Sequence, residues 1–216
     1  GEEYTLVSVA DYILGRAYNE ALESGKSLDE VCAPYRMTTA SNLSSSRALR
    51  DVTEKFGGEY FAAAVGEVNV TTKMKECGAL IGGEGNGGVI YPALHYGRDA
   101  MVGVALFLTN LAHKQMKVSQ LLKTYPQYVI TKNRIDLSDK ALIDKILSEM
   151  QKIYANENVN TIDGVKISFE DKKQWVHLRR SNTEPIIRIY AEAATKEEAD
   201  ALANEVIGIA QKIIGQ

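Results

Sequence analysis

The sequence predicts an α/β layered domain followed by a small antiparallel α+β domain. Three observations predict it. Strand-like and helical segments alternate over residues 4–122, the rhythm of a layered α/β structure. After TYPQYVITKNRIDL the rhythm changes to strand-like runs joined by short loops, the order β-α-β-β-β-α. The length, 216 residues, suits one large domain or two small ones. The junction is expected near residue 131, giving domains 1–131 and 132–216.

The elements follow in order. Residues 4–22 place Leu6, Val9, Ala10, Ile13, Leu14 and Ala17 at helical spacing. YRMTTA, residues 35–40, is short and β-prone. Serines then offer N-caps for a helix from Ser45 to Phe56, and Gly57-Gly58 stops it. EYFAAAV reads as a strand and EVNVTTKMKEC as a helix closed by Gly78. Ala79–Ile81 and Val89–Tyr91 read as strands around a glycine-rich turn. Residues 98–113 return to helix with Met101, Val104, Ala105 and Leu108 on one face, and Val118–Leu122 is a short helix. In the second domain, residues 139–154 are helical with Leu142, Ile143, Ile146, Met150 and Ile153 in phase. Strands are expected at 164–169, 174–179 and 186–193. Thr195 with Glu198 forms a capping box for the last helix, whose buried stripe is Ala199, Leu202, Val206, Ile209 and Ile213.

Composition narrows the function classes. Apolar residues at 45% and charged residues at 25% are ordinary for a soluble globular protein. A net charge of −3 lacks the basic footprint of a nucleic-acid binder. Cys32 and Cys77 form no CxxC, so buried free thiols in a reducing, cytoplasmic setting are expected. No run reaches the ~18 apolar residues of a membrane span. The start, GEEYTLVSV, lacks the basic region of a signal peptide and opens directly on a helical pattern, as a fragment would.

Four constellations carry chemistry. RRSNTEPIIR, Arg179 to Arg188, sets Arg179, Arg180 and Arg188 against Glu184 around a turn of Ser181, Asn182 and Thr183. Small polar residues expose backbone N–H groups that cradle anions, and arginine's planar fork matches phosphate oxygens. A hairpin with incidental arginines is the other reading, and both stay open on chemistry alone. GGEGNGG, Gly82 to Gly88, surrounds Glu84 and Asn86 with glycines; the pair suits vicinal sugar hydroxyls, and a plain flexible turn is its alternative. It is neither a Walker A nor a dinucleotide-binding string. LHYGRDA brings His95, Arg98 and Asp99 to a helix start, where Asp99 reads as the N-cap. NLSSSR, Asn42 to Arg47, reads as helix capping or as a phosphate site. His113 and His177 have no partner at metal-ligand spacing.

Together these strings resemble the α-D-phosphohexomutase superfamily: phosphoglucomutases, phosphomannomutases and phosphoglucosamine mutases. GGEGNGG resembles its sugar-binding loop, usually written GGExSGH, and RRSNTEP with Arg188 its phosphate-binding loop, R-x-S-N/G-T-E-P-x-x-R. LSSSRAL, VGEVNVTTKM and YGRDA fall in the expected order. The resemblance covers essentially the whole chain. It implies the third and fourth domains of a four-domain enzyme: an α/β/α domain, then a TATA-box-binding-protein-like antiparallel sheet domain with two helices. It implies substrate binding by Glu84, Asn86, Gly87, Arg179, Ser181, Asn182, Thr183 and Arg188. The catalytic phosphoserine and the Mg²⁺ ligands would lie in N-terminal domains one and two, outside this chain, which by itself is expected to be inactive. The implied partner is a hexose phosphate, with no nucleic acid and no membrane. A stand-alone sugar-phosphate or anion-binding module is the alternative. The chain departs from the pattern twice: Gly88 and Glu67 stand where many members have histidine.

Overall fold

The computed structural model describes residues 2–137, 139–181 and 183–215. The chain divides into two units, Gly1–Gln127 and Tyr128–Gln216. The expected junction at 131–132 falls inside a strand of the second unit.

In the first unit, α1 (Glu3–Ser24) buries Leu6, Val9, Ala10, Ile13, Leu14 and Ala17, the stripe its spacing prescribes. A capped turn of helix, α2 (Leu28–Cys32), leads into β1 (Arg36–Asn42). Then come α3 (Ala48–Lys55), β2 (Glu59–Ala63), α4 (Glu67–Cys77), β3 (Ala79–Glu84) and β4 (Gly88–Ile90). α4 ends at Gly78, whose φ of 64° supplies the left-handed cap. Among the described residues the strands form a sheet in the order β2-β1-β3-β4, parallel except for the β3–β4 pair. Successive residues of β3 show the layering. A Cβ on Gly82 would meet Met74 of α4, and one on Gly83 would approach Leu6 of α1. Neighbouring strand residues face opposite ways, so α4 and α1 cover opposite faces. Within the glycine-rich segment Gly82 and Gly83 belong to β3, Gly88 opens β4, and Gly85–Gly87 turn between them.

α5 (Ala100–Lys114) and α6 (Val118–Leu122) complete the unit. α5 buries Gly103 and Asn110 and leaves Met101, Val104, Ala105 and Leu108 exposed. The small Gly103 lets it approach Val89, and Asn110 Nδ2 donates to Ser8 O and Oγ on α1, both at 3.0 Å. Lys114 pairs with the buried Asp11 beside them. Burial pushes the nearby Tyr125 phenol up to about 12.

The second unit runs β5 (Val129–Asp136), α7 (Lys140–Ile153), β6 (Asn158–Asn160), β7 (Val165–Phe169), β8 (Gln174–Arg180), β9 (Ile186–Ala193) and α8 (Lys196–Ile214). Its described strands form an antiparallel sheet in the order β5-β9-β8-β7-β6. The sequence reading lacks β6, a short Asn-Val-Asn edge strand. The helices cover one face, where Ile146, Met150, Ile167, Val176, Leu178, Ile187, Ile189 and Val206 are buried together. Thr195 and Glu198 make the expected capping box, and Ile209 packs only partly into the core. Both cysteines are free and buried. No described helix is long and apolar enough to cross a membrane.

Candidate functional site

The β3–β4 turn carries the first set of predicted residues. Glu84 ends β3 and is only 5% exposed. A buried carboxylate needs partners, and Glu84 has two: Asn42 Nδ2 donates to Oε1 at 2.9 Å, and Arg98 Nη1 lies 3.0 Å from Oε2. Asn42 is itself fixed, since its Oδ1 accepts from Ser44 N at 3.0 Å and Ser45 Oγ at 3.1 Å. Ser45 Oγ in turn accepts from Gly85 N at 2.8 Å, tying the start of the α3 region to the glycine turn. Ser46 Oγ accepts from Ala48 N, a local cap. The turn is closed by Gly87 N donating to Glu84 O at 3.2 Å, with Gly87 at φ 86°, a conformation that favours glycine. Asn86 is exposed, and its Oδ1 accepts from Gly88 N at 3.1 Å.

Arg98 is held from its other side by Glu67. Glu67 Oε1 accepts from Arg98 N at 3.0 Å and Oε2 from Nε at 2.9 Å. These two donors, the backbone N–H first, hold the Glu67 carboxyl below the usual carboxylate range. Asp99 caps α5 by accepting from Val102 N and meets His95 Nε2 at 3.0 Å. The His95 contact, then the Val102 N–H, hold its carboxyl low. Three of the four sequence constellations thus converge on one carboxylate. Sequence reasoning placed Asn42 and Arg98 in separate motifs and missed their meeting at Glu84.

The second set lies between β8 and β9. Arg179 stands directly opposite Arg188 in the ladder, and Arg188 stands opposite Arg134 of β5. Directly paired residues share a face, so these three arginines form one row across three strands. Arg188 Nη2 donates to Glu184 Oε2 at 2.6 Å, and Arg134 Nε lies 3.6 Å from Asp136. Arg179 Nε is buried without a hydrogen-bond partner among the described residues. Arg180 points to the helix-covered face by strand alternation, where its Nη2 donates to Asp144 Oδ1 at 2.6 Å; it leaves the row. Ser181 is buried, its N–H donating to Ile186 O at 3.0 Å. Thr183 is exposed. Asn182 lies outside the described residues. Arg134 belongs to no loop motif, and only the strand register reveals it.

His177, two residues before Arg179 on β8 and so on the same face, is buried and its Nε2 meets Asp163 O at 2.7 Å. Burial pushes the imidazole down to about 4. Among the described residues no group of three or more His, Cys, Asp or Glu side chains could hold a metal ion.

Residues 10–128 match the family model described as phosphoglucomutase/phosphomannomutase, alpha/beta/alpha domain III. Residues 134–209 match the one described as phosphoglucomutase/phosphomannomutase, C-terminal domain. A phosphoglucosamine/phosphogalactosamine mutase of Sulfurisphaera tokodaii is 36% identical over 166 residues, which are 76% of this chain and 36% of that protein. A phosphoglucomutase/phosphomannomutase of Thermococcus kodakarensis is 35% identical over 74% of this chain and 34% of its own length. The chain therefore spans little more than a third of these curated relatives. Among solved structures, a phosphoglucomutase/phosphomannomutase family protein from Burkholderia thailandensis superposes with a TM-score of 0.69 at 22% identity, over 94% of this chain and 41% of that one. The Aspergillus fumigatus N-acetylphosphoglucosamine mutase, in complex with GlcNAc-6P and magnesium, gives 0.68 at 16% identity, over 99% of this chain and 44% of that one. At those identities the likeness concerns the fold.

Proposed function

The chain belongs to the phosphoglucomutase/phosphomannomutase family, and from that premise we propose that it supplies the substrate-binding part of a mutase interconverting hexose 1- and 6-phosphates. The phosphate is bound by Arg179, Ser181, Asn182, Thr183 and Arg188. The sugar hydroxyls are bound by Glu84, Asn86 and the Gly87 turn. The observation that carries the reading is the placement of Arg179 directly opposite Arg188, close to the buried Ser181 that follows β8. Like charges directly opposite each other destabilise a sheet, and an anion bound over them turns that repulsion into attraction.

The phosphoryl transfer itself belongs to a serine outside this chain, phosphorylated in the resting enzyme. It gives its phosphate to the hexose phosphate, and the other phosphate of the bisphosphate intermediate returns to it. Mg²⁺ stabilises the transferring group in such chemistry. The described residues here do not fit as its ligands, so no step of this chain's own runs through the metal. The chain's residues bind and orient: energy from the phosphate that does not react aligns the reacting end.

The test pairs a mutase assay with isothermal titration of this chain by glucose 1-phosphate. Weak binding without turnover is expected. Metal-dependent turnover by this chain would refute the assignment of the chemistry elsewhere. Tight micromolar binding without turnover would favour a stand-alone sugar-phosphate-binding module.

A further inference from the structure

We infer that Arg98 is the positioning residue of the sugar-hydroxyl site, and that Gly88 lacks a side chain to make room for it. The inference deepens the proposed hexose-phosphate binding and rests on it.

Glu84 is the buried charge of the glycine turn, and Arg98 is the cation that meets it, at 3.0 Å. Arg98 does not reach Glu84 as a loose surface side chain. Its backbone N–H and Nε are both taken by Glu67, so the guanidinium is gripped on one edge and presents Nη1 to Glu84 from the other. A fork held in this way fixes the plane of the carboxylate it meets. Asn42 holds the second oxygen. Each carboxylate oxygen has a further lone pair, so Glu84 keeps acceptor capacity for sugar hydroxyls in a fixed orientation.

Gly88 has a different role from its neighbours. Gly83 and Gly87 have φ values of 154° and 86°, which disfavour side chains, whereas Gly88 is not among the positive-φ glycines. Its backbone would accept alanine. What excludes alanine is chiefly Arg98: a Cβ on Gly88 would lie 2.5 Å from Arg98 Cδ and 3.2 Å from Cγ, with Asn86 Oδ1 the other near atom at 3.1 Å. The missing side chain is the channel through which Arg98 reaches Glu84. Glycine at 88, arginine at 98 and glutamate at 67 therefore act as one unit.

The test is a titration of the parent chain and the variants Arg98→Ala, Arg98→Lys and Gly88→Ala, followed by NMR, with glucose 6-phosphate and with inorganic phosphate. Arg98→Ala should weaken glucose 6-phosphate binding roughly tenfold or more, the loss typical of a hydrogen-bonded charge, and leave inorganic phosphate unchanged. Arg98→Lys should recover part of the loss. Gly88→Ala should mimic Arg98→Ala, and adding it to Arg98→Ala should change little more, because both remove the same contact. Unchanged glucose 6-phosphate binding by Arg98→Ala overturns the inference, as does an equal loss for both ligands, which signals damage to the fold. Arg179→Ala separates the two readings: if it weakens both ligands while Arg98→Ala weakens neither, only the role of Arg98 fails. If the parent does not bind glucose 6-phosphate, the substrate reading fails and the role of Arg98 falls with it.

Discussion

The glycine turn of the first unit and the arginine turn of the second each join two antiparallel strands, and they handle charge in opposite ways. At the glycine turn, Glu84 is buried and matched: Asn42 and Arg98 take its two oxygens, and Glu67 anchors Arg98. At the arginine turn, Arg134, Arg188 and Arg179 line up in register, and the carboxylates that answer them, Asp136 and Glu184, are exposed. A neutral ligand group such as a hydroxyl needs acceptors already oriented, so internal pairing suits it. A phosphate brings its own charge, so a row of three arginines answered by only two exposed carboxylates suits it. The two regions differ as their proposed ligands differ.

The largest effect expected tests whether the first region is as rigid as its pairing implies. A Cβ on Gly83 would lie 1.9 Å from Gly88 O, at a φ of 154°. Gly83→Ala should destabilise the β3–β4 pair by about 3 kcal/mol or more, the range of backbone strain combined with overpacking. Trp175, the single tryptophan, lies in the second unit. Urea unfolding followed by circular dichroism should shift, and the transition reported by tryptophan fluorescence should not. Equal shifts would show that the units unfold as one, and the regional contrast in stability would be lost.

Acid should act the other way, on the second unit. His177 is buried, and its imidazole falls from 6.5 to about 4, with Lys166 and Arg179 adding to the effect of burial and the Asp163 carbonyl opposing it. The unfolded chain binds the proton first, so stability is complete above pH ~6.5 and falls as pH drops toward 4. At about 1.4 kcal/mol per unit, roughly 3 kcal/mol is lost across that window. Tryptophan fluorescence during urea unfolding at pH 7, 5.5 and 4.5 should record it, and His177→Asn should flatten the dependence. A parent and variant with parallel pH profiles would remove His177 as the cause.

Arg179→Ala tests the charge contrast itself. It should weaken glucose 1-phosphate binding by about 1.5–3 kcal/mol, the contribution of hydrogen bonds to a charged group. Fold stability should hardly change, since the row loses a repulsion as it loses an arginine. A binding loss that tracks a stability loss would make Arg179 a structural residue.

The two regions also differed in how much the sequence revealed. The arginine turn was legible because most of its residues sit within one local string, Arg179 to Arg188. Only Arg134 was hidden, since the β5–β9 register cannot be read from spacing. The glycine turn showed its centre, Glu84, and hid its supports. Asn42 reaches Glu84 across 42 residues and Glu67 reaches Arg98 across 31, so each belonged to a different local pattern. The two departures from the family pattern, Gly88 and Glu67, looked like losses of histidine. In the fold they are the positions that admit and hold Arg98. Helices with strong stripes or caps, α1 and α8, matched their reading closely. β6 escaped because two asparagines and one valine give no strand signal. α5 leaves Met101, Val104 and Leu108 exposed and buries Gly103 and Asn110, which apolar periodicity alone does not single out.

The smallest effect expected carries an opposite sign, which makes it a sharp test of the arginine row. Arg134 is directly opposite Arg188, and its own ion pair with Asp136 is long and exposed. Such a pair contributes little, whereas like charges directly opposite cost a few tenths of a kcal/mol. Arg134→Gln should therefore stabilise the second unit by about 0.2–1 kcal/mol in low salt, measured by urea unfolding with tryptophan fluorescence. Raising the ionic strength toward ~1 M should shrink the gain, because the screening length then falls to about 3 Å, shorter than the spacing of a directly opposed pair. Adding inorganic phosphate should stabilise the parent more than the variant, because a bound anion relieves the same repulsion that the substitution removes. A destabilised variant would mean that the row is held together by its carboxylates alone. The charge excess that distinguishes this turn from the glycine turn would then not exist.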